Sequence, residues 1–272
     1  MDVSKAGEET LQIGDSRESR APSRRGYPRG VADRRLVILT EGQFRVHNAK
    51  TAMGVIRYGT DEVVALLDSS IAGRNVSEWL PGHDIPAVAT LDEALAMTPR
   101  PNALLIGIAP TGGKLPEAWR ATILEAIRAG LDIHSGLHTF IGDDPEFAAA
   151  AATAGTRIVD YRRPPDRFET AVGRKHGPGK HVILTVGTDC AIGKMSVALE
   201  LRKAALKAGD SGVFVPTGQT GMMIEGWGVA VDRVISDFVQ GTVEWISRRP
   251  SDAVTGSSSR ARARWITRRT RR

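Results

Sequence analysis

The chain has 272 residues, 41% hydrophobic and 25% charged, enough apolar content for one large globular domain or two modest ones. No run approaches the ~18 apolar residues of a spanning helix, no apolar segment in the first thirty residues marks secretion, and the single cysteine, Cys190, excludes an internal disulfide or a cysteine zinc cage. The expectation is a cytoplasmic protein without a membrane partner, and its net charge of +6 lies at its ends. Residues 247–272 hold nine Arg and one Asp, residues 1–35 carry +2, and residues 36–246 are left with −4.

In chain order, residues 1–35 are rich in Ser, Arg, Glu, Gly and Pro, the composition of a disordered tail. A Rossmann-like domain is expected over 36–170. Its strands are Leu36–Leu39, Glu62–Leu67, Pro86–Ala89, Ala103–Ile108, Leu131–Ile133 and Arg157–Val159. Its helices are Ala49–Ile56, Leu91–Met97, Glu117–Ala129 and an Ala-rich helix after Pro145. The pattern breaks at Tyr161–Pro165, and 171–180 reads as a linker. A second domain over 181–246 restarts with the strand His181–Val186, the helix Ser196–Ala208, the strand Gly212–Val215 and an amphipathic helix ending near Ile246. Alternating strands and helices with apolar strands predict an α/β fold of two parallel-sheet domains. Residues 247–272 switch to Arg, Ser, Ala and Thr without periodicity and read as a basic disordered tail. Nucleic acid is not expected as a partner. The tail alone offers the counterion release that such binding needs.

The segment Gly187-Thr188-Asp189-Cys190-Ala191-Ile192-Gly193-Lys194-Met195-Ser196 stands between an apolar strand and a helix, the setting of a phosphate-binding loop. Glycines let successive N–H groups point inward, the helix N-terminus adds its positive dipole end, and Lys194 adds a charge. Five residues separate the glycines and Met195 follows the lysine, so the spacing resembles the loop of dethiobiotin synthetase and its P-loop relatives. Ser196 is the nearest hydroxyl for a metal ion. Thr217-Gly218-Gln219-Thr220-Gly221 follows a strand and belongs at the ligand crevice of an open α/β sheet. Asp232 and Asp237 flank an apolar run, as cap and solvated face or as partners of a metal or an amine.

Weaker signals are Asp68 at a strand end, read as a turn ahead of a ribose contact, and Pro110–Lys114, a turn or a phosphate contact. His134 and His138 have i, i+4 spacing but are interrupted by Ser135-Gly136, which counts against a metal pair. Cys190 reads as a small loop residue ahead of a nucleophile.

Taken together, LVILTEGQF, VVALLDS, LLIGIAPTGGKLP, IHSGLHTFIGDDPE, DYRRPP, ILTVGTDCAIGKMSVALEL and VPTGQTGMMIEGWGVAVDRVISDFVQGTVEW resemble the domain-of-unknown-function family 1611. That family pairs a Rossmann-like domain with a P-loop domain, and one branch is a D-glutamate N-acetyltransferase. The resemblance implies an acyl-CoA-dependent N-acetyltransferase acting on a small amino acid such as D-glutamate. Residues 187–196 would hold acetyl-CoA phosphates, 217–221 the substrate, and Ser196 with Asp237 a metal site. A carboxylate or histidine would accept the amine proton, and Asp189 and Asp237 are offered for that role on position alone. The alternatives are an ATP- and Mg²⁺-dependent ligase or kinase resembling dethiobiotin synthetase, and a non-catalytic nucleotide-binding protein. A homo-oligomer is compatible with each. Family members continue well past the VEW helix, so the ending suggests a truncated or altered reading frame near Ser247.

Overall fold

The structure, a computed structural model, describes residues 34–44, 49–165, 168, 170–189 and 191–254. The expected tails, apart from Arg34, Arg35 and 247–254, and Cys190 lie outside the described residues. Six short apolar segments become strands: β1 (Arg35–Leu39), β2 (Glu62–Leu67), β3 (Ala87–Val88), β4 (Ala103–Ile106), β5 (Asp132–Ser135) and β6 (Ile158–Asp160). They form one parallel sheet in the order β3-β2-β1-β4-β5-β6. Chain order reverses between β1 and β4, and open α/β sheets hold ligands in the crevice at that switch point. The fold begins earlier than residue 36, because Arg35 opens β1 and Arg34 bridges to Asp61 at 2.5 Å.

Side chains of a strand alternate between the sheet's faces. Val37 and Leu39 of β1, Leu104 and Ile106 of β4 and Ile133 of β5 face one core. This face is covered by α2 (Leu91–Leu95), α3 (Arg120–Arg128) and α4 (Pro145–Ala154). The α4 helix starts where it does because Asp144 caps the N–H groups of Glu146 and Phe147 with Pro145 at the first position, and it stops at Gly155 in the left-handed region. Leu36 and Ile38 face the opposite core, as do Leu66 and Leu105. There the cover is α1 (Lys50–Tyr58) together with two helices of the second predicted domain, α5 (Lys194–Lys207) and α6 (Gln219–Glu225).

Residues from both halves therefore share one core: Leu199, Met222, Met223 and Ile224 pack with Leu36, Ala52 and Val55. An ion pair between Arg202 and Glu225 ties α5 to α6. The last helix, α7 (Val239–Val254), runs past the expected end near Ile246. It contributes Ile246 to a small cluster with Val229 and Val234.

The second sheet needs correction. The α/β fold class stands, but His181–Val186 and Gly212–Val215 are not strands, and among the described residues every paired strand belongs to the one six-stranded sheet. Val182, Ile183, Leu184 and Val186 are 59–78% exposed. An apolar run becomes a strand only when neighbours supply its hydrogen bonds, and no neighbours do so here among the described residues.

Candidate functional site

Two features meet along α1. The first is the glycine loop. Gly193 caps α5 with φ +98° and Ala191 has φ +57°. Left-handed residues set into such a loop turn successive N–H groups toward one concavity, a nest for anions. Lys194 is the first residue of α5, and its ammonium donates to the carbonyl of Asp189, folding back across the loop. A Cβ at Gly187 would stand 2.3 Å from Ile192 Cδ1 and 3.5 Å from Lys194 Cδ. Glycine is therefore what lets the loop close on itself. The cradle suits a phosphate: backbone donors, a 14-residue helix behind them and a lysine at the rim.

The second feature is a cavity of about 120 Å³ beyond the carboxyl ends of the central strands, lined by Lys50, Ala109, Pro110, Gly113, Gly136, Leu137, His138 and Arg162. Each wall comes from a different connection. Lys50 opens α1, Ala109–Gly113 follow β4, Gly136–His138 follow β5 and Arg162 follows β6. Arg162 is buried. Its Nε donates to the Gly136 carbonyl at 2.7 Å and its Nη1 to Asp232. His138 Nε2 lies 4.0 Å from the same Asp232 carboxylate. Burial, then the nearby Arg162 and Arg233, push the His138 imidazole below its usual range, and burial does the same to Arg162. Gly113, with φ +64°, allows this packing, since a Cβ there would stand 2.2 Å from His138 Cδ2.

The features are linked through α1. A Cβ at Gly54 would lie 2.8 Å from Thr220 Cγ2 and 3.2 Å from Met195 Cε, so the glycine loop's Met195 and the expected substrate loop converge there. Lys50, four residues earlier and so ~6 Å along the axis, reaches the cavity. Thr220 Oγ1 and Thr51 Oγ1 share a buried hydrogen bond of 3.1 Å. Gln219 packs on Gly136, where a Cβ would stand 2.6 Å from Gln219 Cγ.

Of the expected site residues, the structure thus brings Met195, Gln219 and Thr220 to the crevice side. The Thr217 carbonyl accepts from Val231 N at 3.1 Å, and Gly218 caps α6, whose first turn holds the buried Gly221. Ser196 lies in the first turn of α5. Asp237 sits in the Ser236–Phe238 turn, where Ser236 Oγ donates to it at 3.5 Å. Among the described residues no hydrogen bond joins Asp237 to Ser196, and no cluster of three His, Cys, Asp or Glu side chains could hold a metal ion.

Of the weaker signals, Pro110, Gly113 and His138 line the cavity, while Asp68 and His134 serve the architecture. Asp68 is fully buried and accepts from Thr40 Oγ1, Gly42 N, Phe44 N and Ser70, so it organises the turns after β1 and β2. His134 lies in β5 and His138 in the loop beyond it, so their spacing is not a helical pair. Sequence reasoning missed Lys50 and Arg162. Lys50 looked like an ordinary helix residue, and Arg162 stood in a stretch read as a broken pattern. The signal for Arg162 was its position just past the end of β6, and that for Lys50 its place at the start of the helix that follows β1.

An open parallel sheet with a glycine-rich loop and a polar crevice at its switch point is the architecture of the Rossmann and P-loop class of α/β proteins. Residues 69–164 match the family model described as a domain of unknown function (DUF1611_N), Rossmann-like domain, and residues 169–255 match DUF1611_C, P-loop domain. The chain belongs to the DUF1611 family. Its relatives include a D-glutamate N-acetyltransferase of Tritonibacter scottomollicae, 36% identical over 73% of this chain and 56% of the relative. Another, of the same name from a Pseudoalteromonas species, is 41% identical over 53% of this chain and 42% of its own length. A solved DUF1611 family protein from Anabaena variabilis superposes with a TM-score of 0.75 at 37% identity, covering 80% of this chain and 63% of that one. The chain thus spans about half the length of the curated relatives it matches. Among the described residues no helix is long and apolar enough to cross a membrane.

Proposed function

We propose that this chain carries the ligand-binding parts of an acyl-CoA-dependent N-acetyltransferase acting on a small amino acid such as D-glutamate. The observation that carries the reading is the juxtaposition along α1 of a phosphate-type loop and a compact basic cavity, in a chain whose relatives bear the name D-glutamate N-acetyltransferase. Residues 187–196 would hold the phosphates of acetyl-CoA. Backbone N–H groups at the start of α5 and the Lys194 ammonium supply the positive field that phosphates need. Such a group would draw Lys194 away from the Asp189 carbonyl that it now caps.

The reaction requires an amine lone pair to attack the thioester carbonyl. A C–N bond forms, the C–S bond breaks, the amine gives up a proton and the departing thiolate gains one. Asp189 and Asp237 are the carboxylates this reading offers as proton acceptors on the P-loop half. Asn at either position tests that role by its effect on kcat rather than on acetyl-CoA affinity.

The test is thermal stabilisation by acetyl-CoA and by Mg-ATP, beside an acetyl-transfer assay with D-glutamate. A ligand at 100 times its Kd adds about 2.7 kcal/mol to the folded state. Stabilisation by acetyl-CoA that disappears in Lys194→Ala, together with transfer to D-glutamate, is the expected result. Stabilisation by Mg-ATP alone would replace this reading with a ligase or kinase. Binding without turnover would leave a nucleotide-binding protein.

A further inference from the structure

We propose that the cavity bounded by Lys50, His138 and Arg162 is a carboxylate-binding site, separate from the glycine loop, that holds the carboxylate of the small amino-acid acceptor. In naming the acceptor, this inference rests on the acetyltransferase reading. Its physical basis does not.

Three basic side chains converge on the cavity from α1, from the loop after β5 and from the segment after β6. Such convergence from separate elements is not the spacing of a solvated helix face. Arg162 is buried and held in place by the Gly136 carbonyl, so its guanidinium is oriented before any ligand arrives. Arg162 already carries one carboxylate, that of Asp232, and His138 stands 4.0 Å from the same group. Lys50 has no hydrogen-bond or ion-pair partner among the described residues. Lys50 and Arg162, with Arg233 nearby, outweigh the one carboxylate of Asp232, so the cavity keeps a net positive charge that suits an anionic group. A phosphate dianion would bring two negative charges against the Asp232 carboxylate, a larger repulsion than a single carboxylate meets there. A cavity of about 120 Å³ is also below the ~300 Å³ at which pockets begin to hold drug-sized ligands, so it suits one end of a small molecule.

Both sites border one helix. Lys50 reaches the cavity while Gly54, a turn later, receives Met195 of the glycine loop. An acceptor anchored at Lys50 and a donor anchored at the loop would be held by the same rigid element. Proximity of that kind converts a bimolecular step into an effectively unimolecular one.

The experiment measures binding of glutarate, D-glutamate, inorganic phosphate and acetyl-CoA to the full chain by titration calorimetry. Glutarate has the carboxylates without the amine, so it probes the site independently of acetyl transfer. Wild type is compared with Lys50→Met and Arg162→Gln. Lys50 is exposed, so Lys50→Met is the variant expected to fold normally should Arg162→Gln fail to. Loss of a charge-assisted contact should weaken glutarate and D-glutamate at least about tenfold in Lys50→Met while acetyl-CoA affinity is unchanged. Unchanged glutarate and D-glutamate affinities in both variants, or no binding of either to wild type, would overturn the proposal. So would a drop in acetyl-CoA or phosphate affinity alone, which would assign the cavity to a phosphate. Lys50-dependent glutarate binding without any acetyl transfer would leave this site standing and remove the acetyltransferase reading.

Discussion

His134 shows how a single side chain reads differently in sequence and in structure. It is 4% exposed, its Nδ1 lies 3.0 Å from the Tyr161 hydroxyl, and that hydroxyl oxygen accepts from Arg34 Nη1 at 2.8 Å. The direction of the Nδ1–hydroxyl bond depends on the imidazole tautomer, and Nε2 is buried without a hydrogen-bond partner among the described residues. Burial, reinforced by the Arg34 charge, pushes the His134 pKa down to about 3 from an ordinary 6.5. The sign of the linkage follows. Between these values the unfolded chain binds a proton at this position and the folded chain does not, so stability is lost as pH falls from 6.5 toward 3. The slope contributed by this residue approaches ~1.4 kcal/mol per pH unit within that window. His134→Gln is expected to flatten the pH dependence of the denaturation midpoint between pH 6.5 and 4.5. The His134 ring resonances should stay constant across the same range, and titration of that ring near 6.5 would contradict the assignment.

Among the elements, α1 has the most to satisfy. It covers one face of the sheet, opens the cavity at Lys50 and receives α5 and α6 at Gly54. The absence of a side chain at Gly54 is what allows Thr220 and Met195 to approach and the Thr51–Thr220 hydrogen bond to form at 3.1 Å. Gly54→Leu is expected to destabilise the chain by about 1–3 kcal/mol through overpacking. It should also weaken both ligand sites together, because it separates the helices that carry them. Gly177→Ala is the matched control, since a Cβ there meets open space. Chemical denaturation measures the pair. Equal midpoints for Gly54→Leu and wild type would mean that α5 and α6 do not rest on α1.

Over the whole molecule, the apolar segment Val182–Val186 stands apart from the two cores, with Leu184 77% and Val186 78% exposed. On α5, Val197 and Leu206 are exposed too, at 53% and 51%. Exposed apolar surface of this extent binds hydrophobic dyes and promotes association. The chain is expected to enhance the fluorescence of an anilinonaphthalene sulfonate dye at neutral pH. The double substitution Leu184→Lys, Val186→Glu should lower that signal without lowering the unfolding midpoint of the six-stranded sheet. A chain that binds no dye would show these side chains to be covered in solution.

The first half of the fold was legible because its signals are local. Glu62–Leu67 is the second strand in both readings, and α1, α3, α4 and α5 fall within a few residues of their expected positions. The glycine loop was legible for the same reason, since glycines, lysine and a following helix declare themselves at fixed spacing. What the sequence determined by itself was therefore the α/β class, the order of most elements and the phosphate-type loop, all properties of short-range periodicity and turn chemistry. The packing of distant segments placed α5 and α6 over the first sheet and left residues 181–186 and 212–215 unpaired. Only the tertiary structure brought Lys50, His138, Arg162 and Asp232 together. Those outcomes depend on which distant surfaces meet, and neither strand pairing nor a site assembled from four separate segments is written in the spacing of neighbouring residues.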